Sequence, residues 1–323
     1  ERFSRLGFFD TTFGVRVLDE GGGSLFDATL GFEVFDCVTV REGVDGVEPD
    51  DIDADALAPG LTAALARAGS LAGAVATLRG SAPAGAAVTG IAGGVHLLAS
   101  ALADDVAERG VEVVTGARVQ HLVQDGGGWR LEHDDGAIDG EQVVVATGGA
   151  AARALIAPLV DDELIAGWPA GRTTTVVAVT LDDPRLDSAA RGTGVLVAHP
   201  EAGTASALTH SSAKWPWLRD MLPAGRHIVR LTYRGAWRDL PDERVLADAY
   251  RLLGIEPTGS ALVARADAVW EQDAPRAIRG VETRLARLAA ETGGIPGLSL
   301  TGAWIAGTGL AAVIEHADGV RVT

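Results

Sequence analysis

The chain has 323 residues, enough for one large domain or two interleaved ones, and its 47% hydrophobic and 22% charged content is that of an ordinary folded protein. A formal net charge of −17 speaks against a nucleic-acid surface, which needs clustered Lys and Arg. A single cysteine, Cys37, excludes a disulfide within the chain, and no apolar run approaches the roughly 20 residues of a membrane helix. With no signal-peptide pattern at the start, the expected location is cytoplasmic. The first residue is Glu1 rather than Met, so the start reads as trimmed.

Residues 1–50 hold all seven phenylalanines around a flexible Gly21-Gly22-Gly23, so something apolar is lined or packed there. Asp50, Asp51, Asp53 and Asp55 form an acidic run, read as a solvated helix start in which Asp favours the positive end of the dipole. Residues 56–78 alternate Leu and Ala at helical spacing and predict one or two packed helices, followed by a loop at 81–85. After Gly93-Gly94, the spacing of Val95, Leu98, Leu102 and Val106 makes one apolar helix face that ends at Arg109-Gly110. Val111–Thr115, Val119–Gln124 and Trp129–His133 read as the strands of a meander. The short apolar run Val143–Ala146 predicts a strand buried on both faces of a layered α/β sheet. It ends at Thr147-Gly148-Gly149, where glycine lets a ligand approach the backbone and a plain tight turn is the alternative.

Beyond residue 150 the pattern changes. Strands are expected at Thr173–Leu181, Val195–Val197, Ser206–Thr209 and His227–Tyr233, with helices at Glu243–Leu253 and Val281–Ala290. Strands that follow one another with few helices between them predict an antiparallel sheet in a second domain. Leu298–Thr301 and Gly307–Ala317 return to strand, glycine turn and helix.

Gly307-Thr-Gly309-Leu-Ala-Ala312 satisfies G-x-G-x-x-A, but only 11 residues follow Ala312, too few for the second strand and ribose acceptor of a dinucleotide fold. What survives is a helix start whose backbone N–H groups suit a phosphate or an electron-rich cofactor edge, or serve simply as a turn. Seven histidines show no metal-ligand spacing, and no metal is expected. His210 reads as a satisfied structural histidine. Ser211-Ser212 lacks a nucleophile elbow. Lys214, the only lysine, reads as a loop residue beside a packed Trp215, with a substrate carboxylate as the alternative partner.

Several stretches resemble a known family. Gly93-Gly94-Val-His-Leu-Leu98, the helix to Arg109-Gly110, Val111-Glu-Val113, Arg118-Val119, the meander and Val144-Val145-Ala146-Thr147 look like the middle of flavin-containing amine oxidase relatives. Ala207-Leu-Thr-His-Ser-Ser212-Ala-Lys214-Trp215-Pro216 resembles a stretch typical of FAD-dependent protoporphyrinogen and coproporphyrinogen III oxidases. So do Gly46-Val-Glu-Pro-Asp-Asp-Ile-Asp53, the spaced Trp270, Pro275 and Gly280, and the flavin-contacting element Leu298-Ser-Leu-Thr-Gly302-Ala-Trp-Ile-Ala-Gly307-Thr-Gly309-Leu310. The matches run in the right order over roughly residues 24–317. The family's opening strand, G-x-G-x-x-G turn and helix do not occur, so the resemblance implies a chain lacking its N-terminal dinucleotide-binding segment. Apolar faces would then lie unpaired, and poor solubility is expected of a genuine fragment.

The resemblance implies an α/β plus β fold: a partial FAD-binding domain of the two-dinucleotide type (89–150 and 296–323) interleaved with an α+β substrate domain (1–88 and 151–295). It implies an oxidase that moves hydride equivalents from a porphyrinogen to FAD and then to dioxygen in haem biosynthesis, releasing hydrogen peroxide. Likeness to the actinobacterial branch favours coproporphyrinogen III over protoporphyrinogen IX. Another flavin amine oxidase or desaturase, or a non-catalytic fragment, is the alternative. No side-chain base is implied and no catalytic residue is named, though arginines should clamp the substrate's propionates. Among cofactor contacts, the Val119 backbone should face the adenine, with Thr147 and Gly148 near the diphosphate. Gly302, Ala303, Trp304, Gly307, Gly309, Leu310 and Ala311 should lie near the ribityl chain and ring. Many relatives carry an acidic or amide residue where this chain has Ala303, so that contact would pass to the backbone. The whole reading requires the strand ending at Ala146 and the closing glycine turn to meet in space.

Overall fold

The computed structural model describes residues 13–18, 24–30, 52–79, 90–188, 191–197, 203–257, 261–273, 277–307 and 309–320. Five of the seven phenylalanines, Asp50, Asp51, the loop at 81–85 and Pro275 lie outside them. The fold is mixed α/β with several sheets.

In chain order, β1 (Phe13–Leu18) and β2 (Ser24–Leu30) precede α1 (Ala54–Leu57), α2 (Leu61–Ala68), α3 (Leu71–Arg79) and α4 (His96–Glu108). Then come β3 (Val119–Asp125), β4 (Gly128–His133), β5 (Gly136–Gly140), β6 (Val143–Val145), α5 (Gly149–Ile156), α6 (Asp162–Ala166), β7 (Arg172–Asp182) and β8 (Gly194–Leu196). The chain continues with β9 (Ala207–His210), α7 (Ser211–Lys214), α8 (Pro216–Asp220), β10 (Arg226–Arg234), α9 (Asp242–Leu253) and β11 (Leu262–Gln272). It closes with α10 (Val281–Thr292), β12 (Leu298–Leu300), α11 (Ala303–Ala306) and α12 (Leu310–Gly319).

Two units divide the chain. One comprises 1–33, 89–113 and 172–271, the other 34–88, 114–171 and 272–323. These boundaries differ from those read in the sequence, since 89–113 falls with residues 172–271 and 34–88 with the closing segment. In the first unit β1 and β2 pair antiparallel, and a five-stranded sheet has the order β11-β7-β10-β9-β8. β10 runs antiparallel to β7, with Val177 opposite Leu231, and antiparallel to β9. Side chains alternate across a sheet, so Val177, Val179, Leu231 and Tyr233 share one face. Against them α9 packs Val245, Ala249, Leu252 and Leu253. The opposite face carries Ala178 and Ile228 under Trp215, Trp217 and Leu218. Helix α9 obeys the terminal rules: Asp242 and Glu243 lie in its first turn, Arg251 in its last, and Gly254 closes it in the left-handed conformation.

In the second unit Asp53 accepts hydrogen bonds from the N–H groups of Asp55 and Ala56, both at 3.0 Å, and so caps α1. Strands β3, β4 and β5 form a meander, and β12 pairs with β6 in parallel. The buried Trp129 of β4 donates its indole N–H to the Pro296 carbonyl at 3.1 Å. The core gathers Val143, Val145, Ala152, Ile156, Leu164, Trp168, Leu288 and Trp304.

Two expectations need correction. Residues 111–115 form no strand, and the meander instead starts at Val119 and ends with Gly136–Gly140. Val111 and Val114 are exposed, and β-branched residues alone make no strand without partners for their backbone groups. Nor is β6 buried on both faces, because Val144 is 40% exposed between buried Val143 and Val145.

Candidate functional site

The candidate site is built where β6 and β12 end. The register sets Val143 beside Leu298, Val144 beside Ser299 and Val145 beside Leu300, and the Thr301 N–H continues it by donating to the Val145 carbonyl at 3.0 Å. Both strands then run straight into glycine. β6 leads through Thr147 and Gly148 to α5, and β12 through Gly302 to α11 and on through Gly307 and Gly309 to α12. The carboxyl ends of parallel strands are where open α/β sheets receive ligands.

Two glycines are required by geometry. Gly302 has φ 120°, and a Cβ there would lie 3.3 Å from the Thr147 carbonyl oxygen, so this is where the two turns meet. A Cβ at Gly149 would lie 2.6 Å from Trp304 Cβ and 2.7 Å from Arg153 Nη1, and closer still to Asp273 Oδ1. Gly148 and Gly309, in contrast, have nothing within 4 Å of their Cβ positions among the described residues.

Behind the turns lies a closed ring of contacts. The Gly149 N–H donates to Asp273 Oδ2 at 3.0 Å, and Asp273 Oδ1 stands 4.0 Å from Arg153 Nη1. Arg153 follows Gly149 by four residues, and side chains in a helix tilt toward its N-terminus, so the guanidinium folds back over the helix start. Its Cζ lies 5.4 Å from the Trp168 ring centre, and Trp168 meets Trp304 edge-on at 5.4 Å. Burial pulls the Arg153 pKa below its ordinary value, with the Asp273 charge opposing the shift. Two buried donors in this ring, Arg153 Nη1 and Trp304 Nε1, have no hydrogen-bond partner among the described residues. Farther along, Thr301 Oγ1 and His316 Nδ1 lie 2.9 Å apart and pin the far end of α12 to β12.

Of the residues singled out in the sequence, Thr147 is thus brought to Gly302, and Trp304 lies against Gly149, the residue after Gly148. Gly307, Gly309, Leu310 and Ala311 follow into the start of α12. Val119 begins β3 opposite His133, and β3 packs beside α5. The residues fit an acceptor-rich nucleotide at the second turn: open backbone at Gly309, a helix start with no side-chain cap, and orphaned buried donors nearby. At α5 Asp273 already answers the Gly149 N–H, and Gly148 offers close backbone approach. Sequence reasoning missed Arg153, Trp168 and Asp273. The spacing of Gly149 and Arg153 was a usable signal, whereas Asp273 lies 124 residues from its partner.

A second polar cluster sits in the sheet unit. His210 Nε2 and His227 Nδ1 lie 3.1 Å apart, both rings buried, with Ser212 Oγ 3.4 Å from the same His227 nitrogen. Asp187 Oδ1 is 3.2 Å from His227 Nε2 and is held by Arg219 at 2.7 Å. Burial, the neighbouring His227 and Arg219 pull the His210 pKa down to about 4, and burial and Arg219 lower that of His227. A serine, a histidine and an aspartate in line suggest a nucleophile and base. Yet Ser212 is buried and its hydroxyl accepts the Ile228 N–H at 3.2 Å, so no substrate carbonyl can reach it. His210 is buried as a structural residue would be, though its Nδ1 has no partner among the described residues. Lys214 lies over the Trp215 ring at 4.9 Å. Among the described residues no group of three His, Cys, Asp or Glu could hold a metal ion, and no helix is long and apolar enough to cross a membrane.

Residues 81–187 match the family described as FAD dependent oxidoreductase. No curated protein matches the sequence. In fold the chain is similar to a protein from Exiguobacterium sp. 255-15 whose provisional name is protoporphyrinogen oxidase, with TM-score 0.65 and 20% identity. That similarity covers 84% of this chain and 59% of the other. Reduced UDP-galactopyranose mutase is similar at TM-score 0.51 and 12% identity, over 66% of this chain and 46% of that one. The chain therefore spans less than two thirds of the length of either protein, and identities this low speak for the fold alone. The family match supports FAD as the cofactor and an oxidoreductase as the class of enzyme.

Proposed function

We propose that the chain belongs to an FAD-dependent oxidase acting on a porphyrinogen in haem biosynthesis, with coproporphyrinogen III favoured over protoporphyrinogen IX. The observation that carries this reading is the meeting of two glycine turns at the carboxyl ends of parallel strands, in the segments that resemble the flavin-contacting parts of that family. The stretch around Ser-x-Lys-Trp-Pro adds support for the porphyrinogen branch, and likeness of fold to the Exiguobacterium protein agrees with it.

On this reading the unit with the two turns is the flavin portion and the unit with the five-stranded sheet is the substrate portion. Gly302, Ala303, Trp304, Gly307, Gly309, Leu310 and Ala311 would hold the ribityl chain and ring, largely through backbone N–H groups. Thr147 and Gly148 would line the diphosphate side by close approach, and Val119 would meet the adenine through its backbone. Bound FAD supplies the hydride acceptor, with dioxygen as the terminal one. The chain's own task is to orient a flat macrocycle, exclude water and pair its carboxylates with arginine. No side-chain base is needed.

The test uses purified full-length protein. Anaerobic mixing with coproporphyrinogen III, protoporphyrinogen IX and a panel of amines is followed through the flavin absorption bands and porphyrin fluorescence. Bleaching by a porphyrinogen, with hydrogen peroxide formed on admitting air, is the expected result. Bleaching by amines alone would replace the proposal with an amine oxidase.

A further inference from the structure

Asp273 is the first residue beyond β11, and it reaches back to the start of α5. One oxygen accepts the Gly149 N–H at 3.0 Å while the other faces the Arg153 guanidinium at 4.0 Å. Both side chains are largely enclosed, at 15% and 14% exposure. From Arg153 the contacts pass to Trp168, then to Trp304, and return to Gly149, whose missing Cβ makes room for Asp273, Trp304 and Arg153. The ring therefore links the turn after β6 to the turn after β12 through side chains, in addition to the strand pairing. A carboxylate at a helix start is favoured by the dipole, but here it also has a fixed direction, because Arg153 restrains its second oxygen.

We infer that Asp273 is a positioning residue for the paired glycine turns, holding the Gly149 amide where the turn after β6 can meet Gly302. This rests on the flavin reading of those turns. Asp273 touches neither cofactor nor substrate in this scheme. It acts through Gly149.

Two conservative variants separate positioning from charge balance. Asp273→Asn keeps an acceptor oxygen at the same reach and drops the charge that faces Arg153. Asp273→Glu keeps the charge and displaces the acceptor by one methylene. If Asp273 positions the turn, FAD affinity of the full-length protein falls about tenfold for Asp273→Glu and stays within about threefold for Asp273→Asn, the scale of one hydrogen bond. If Asp273 merely neutralises Arg153, the order of the two variants reverses, and the inference is overturned. Equal affinity of both variants and wild type overturns it as well. Hydrogen exchange of the Gly149 amide in flavin-free protein gives a second reading, expected to quicken in Asp273→Glu and not in Asp273→Asn. Should wild-type protein take up no FAD, the flavin reading fails, while the order of amide exchange still decides the role of Asp273.

Discussion

β7 and β6 both come from β-branched apolar runs, and they end in opposite situations. β7 buries every residue from Thr175 to Leu181, since it lies between β11 and β10 with α9 on one face and Trp215, Trp217 and Leu218 toward the other. β6 has β12 as its one partner among the described strands, and its central Val144 stands open. The enclosed strand carries stability and little chemistry. The open one ends in a glycine turn, and Gly148 and Gly309 have nothing within 4 Å of their Cβ positions among the described residues. A site needs a rigid frame and an unfilled edge, and here the two properties fall on different sheets.

The contrast can be broken most sharply in the core. Leu231→Ala, at a fully buried position opposite Val177, should lower the unfolding free energy of the sheet unit by about 2–5 kcal/mol, whereas Val144→Ala should cost less than about 1 kcal/mol. Equal urea-midpoint shifts would erase the distinction. Next in size is a pH effect. His210 has a folded pKa of about 4 against an ordinary 6.5, so the folded state disfavours the proton. Its contribution is whole above pH 6.5 and is lost as pH falls toward 4, amounting to about 3 kcal/mol. His210→Phe should flatten the stability slope in that window, and an unchanged slope in urea titrations would refute the assignment.

Smaller effects belong to the turns. Gly149→Ala must displace Trp304, Arg153 or Asp273, and should destabilise by about 1–3 kcal/mol in thermal melts. Gly309→Asp meets open space, so stability should stay within about 0.5 kcal/mol of wild type while the full-length protein loses its yellow flavin bands. Unchanged flavin occupancy in that variant would remove Gly309 from the site.

Much of the frame was legible in the sequence. The helices within 56–78 followed from Leu and Ala at helical spacing, the one at 96–108 from apolar spacing and an end signal, and β7 from its β-branched run, while helices near 243–253 and 281–290 and a strand at 227–233 were also expected. The meander was legible too, but displaced by one strand. Val111 and Val114 look like a strand by residue type, and only a pairing partner could have made one. β11 escaped notice because Ala264, Ala266 and Ala268 alternate with Arg265 and Asp267, a weak strand pattern overridden by its place beside β7. In the site, the glycine turns were visible as motifs because backbone freedom is a local property. The ring behind them was not. Asp273, Arg153 and Trp168 meet only after folding, and no periodicity joins residues so far apart.

The edge-on pair of Trp168 and Trp304 has a use of its own. Two indoles with centres 5.4 Å apart and planes inclined at 63° couple their electronic transitions, and such coupling gives a paired positive and negative band in circular dichroism. The amplitude depends on mutual orientation, so it reports on the closing turn from inside the molecule. The expected couplet would serve as an optical gauge of whether that turn is assembled, readable by circular dichroism before any cofactor is added.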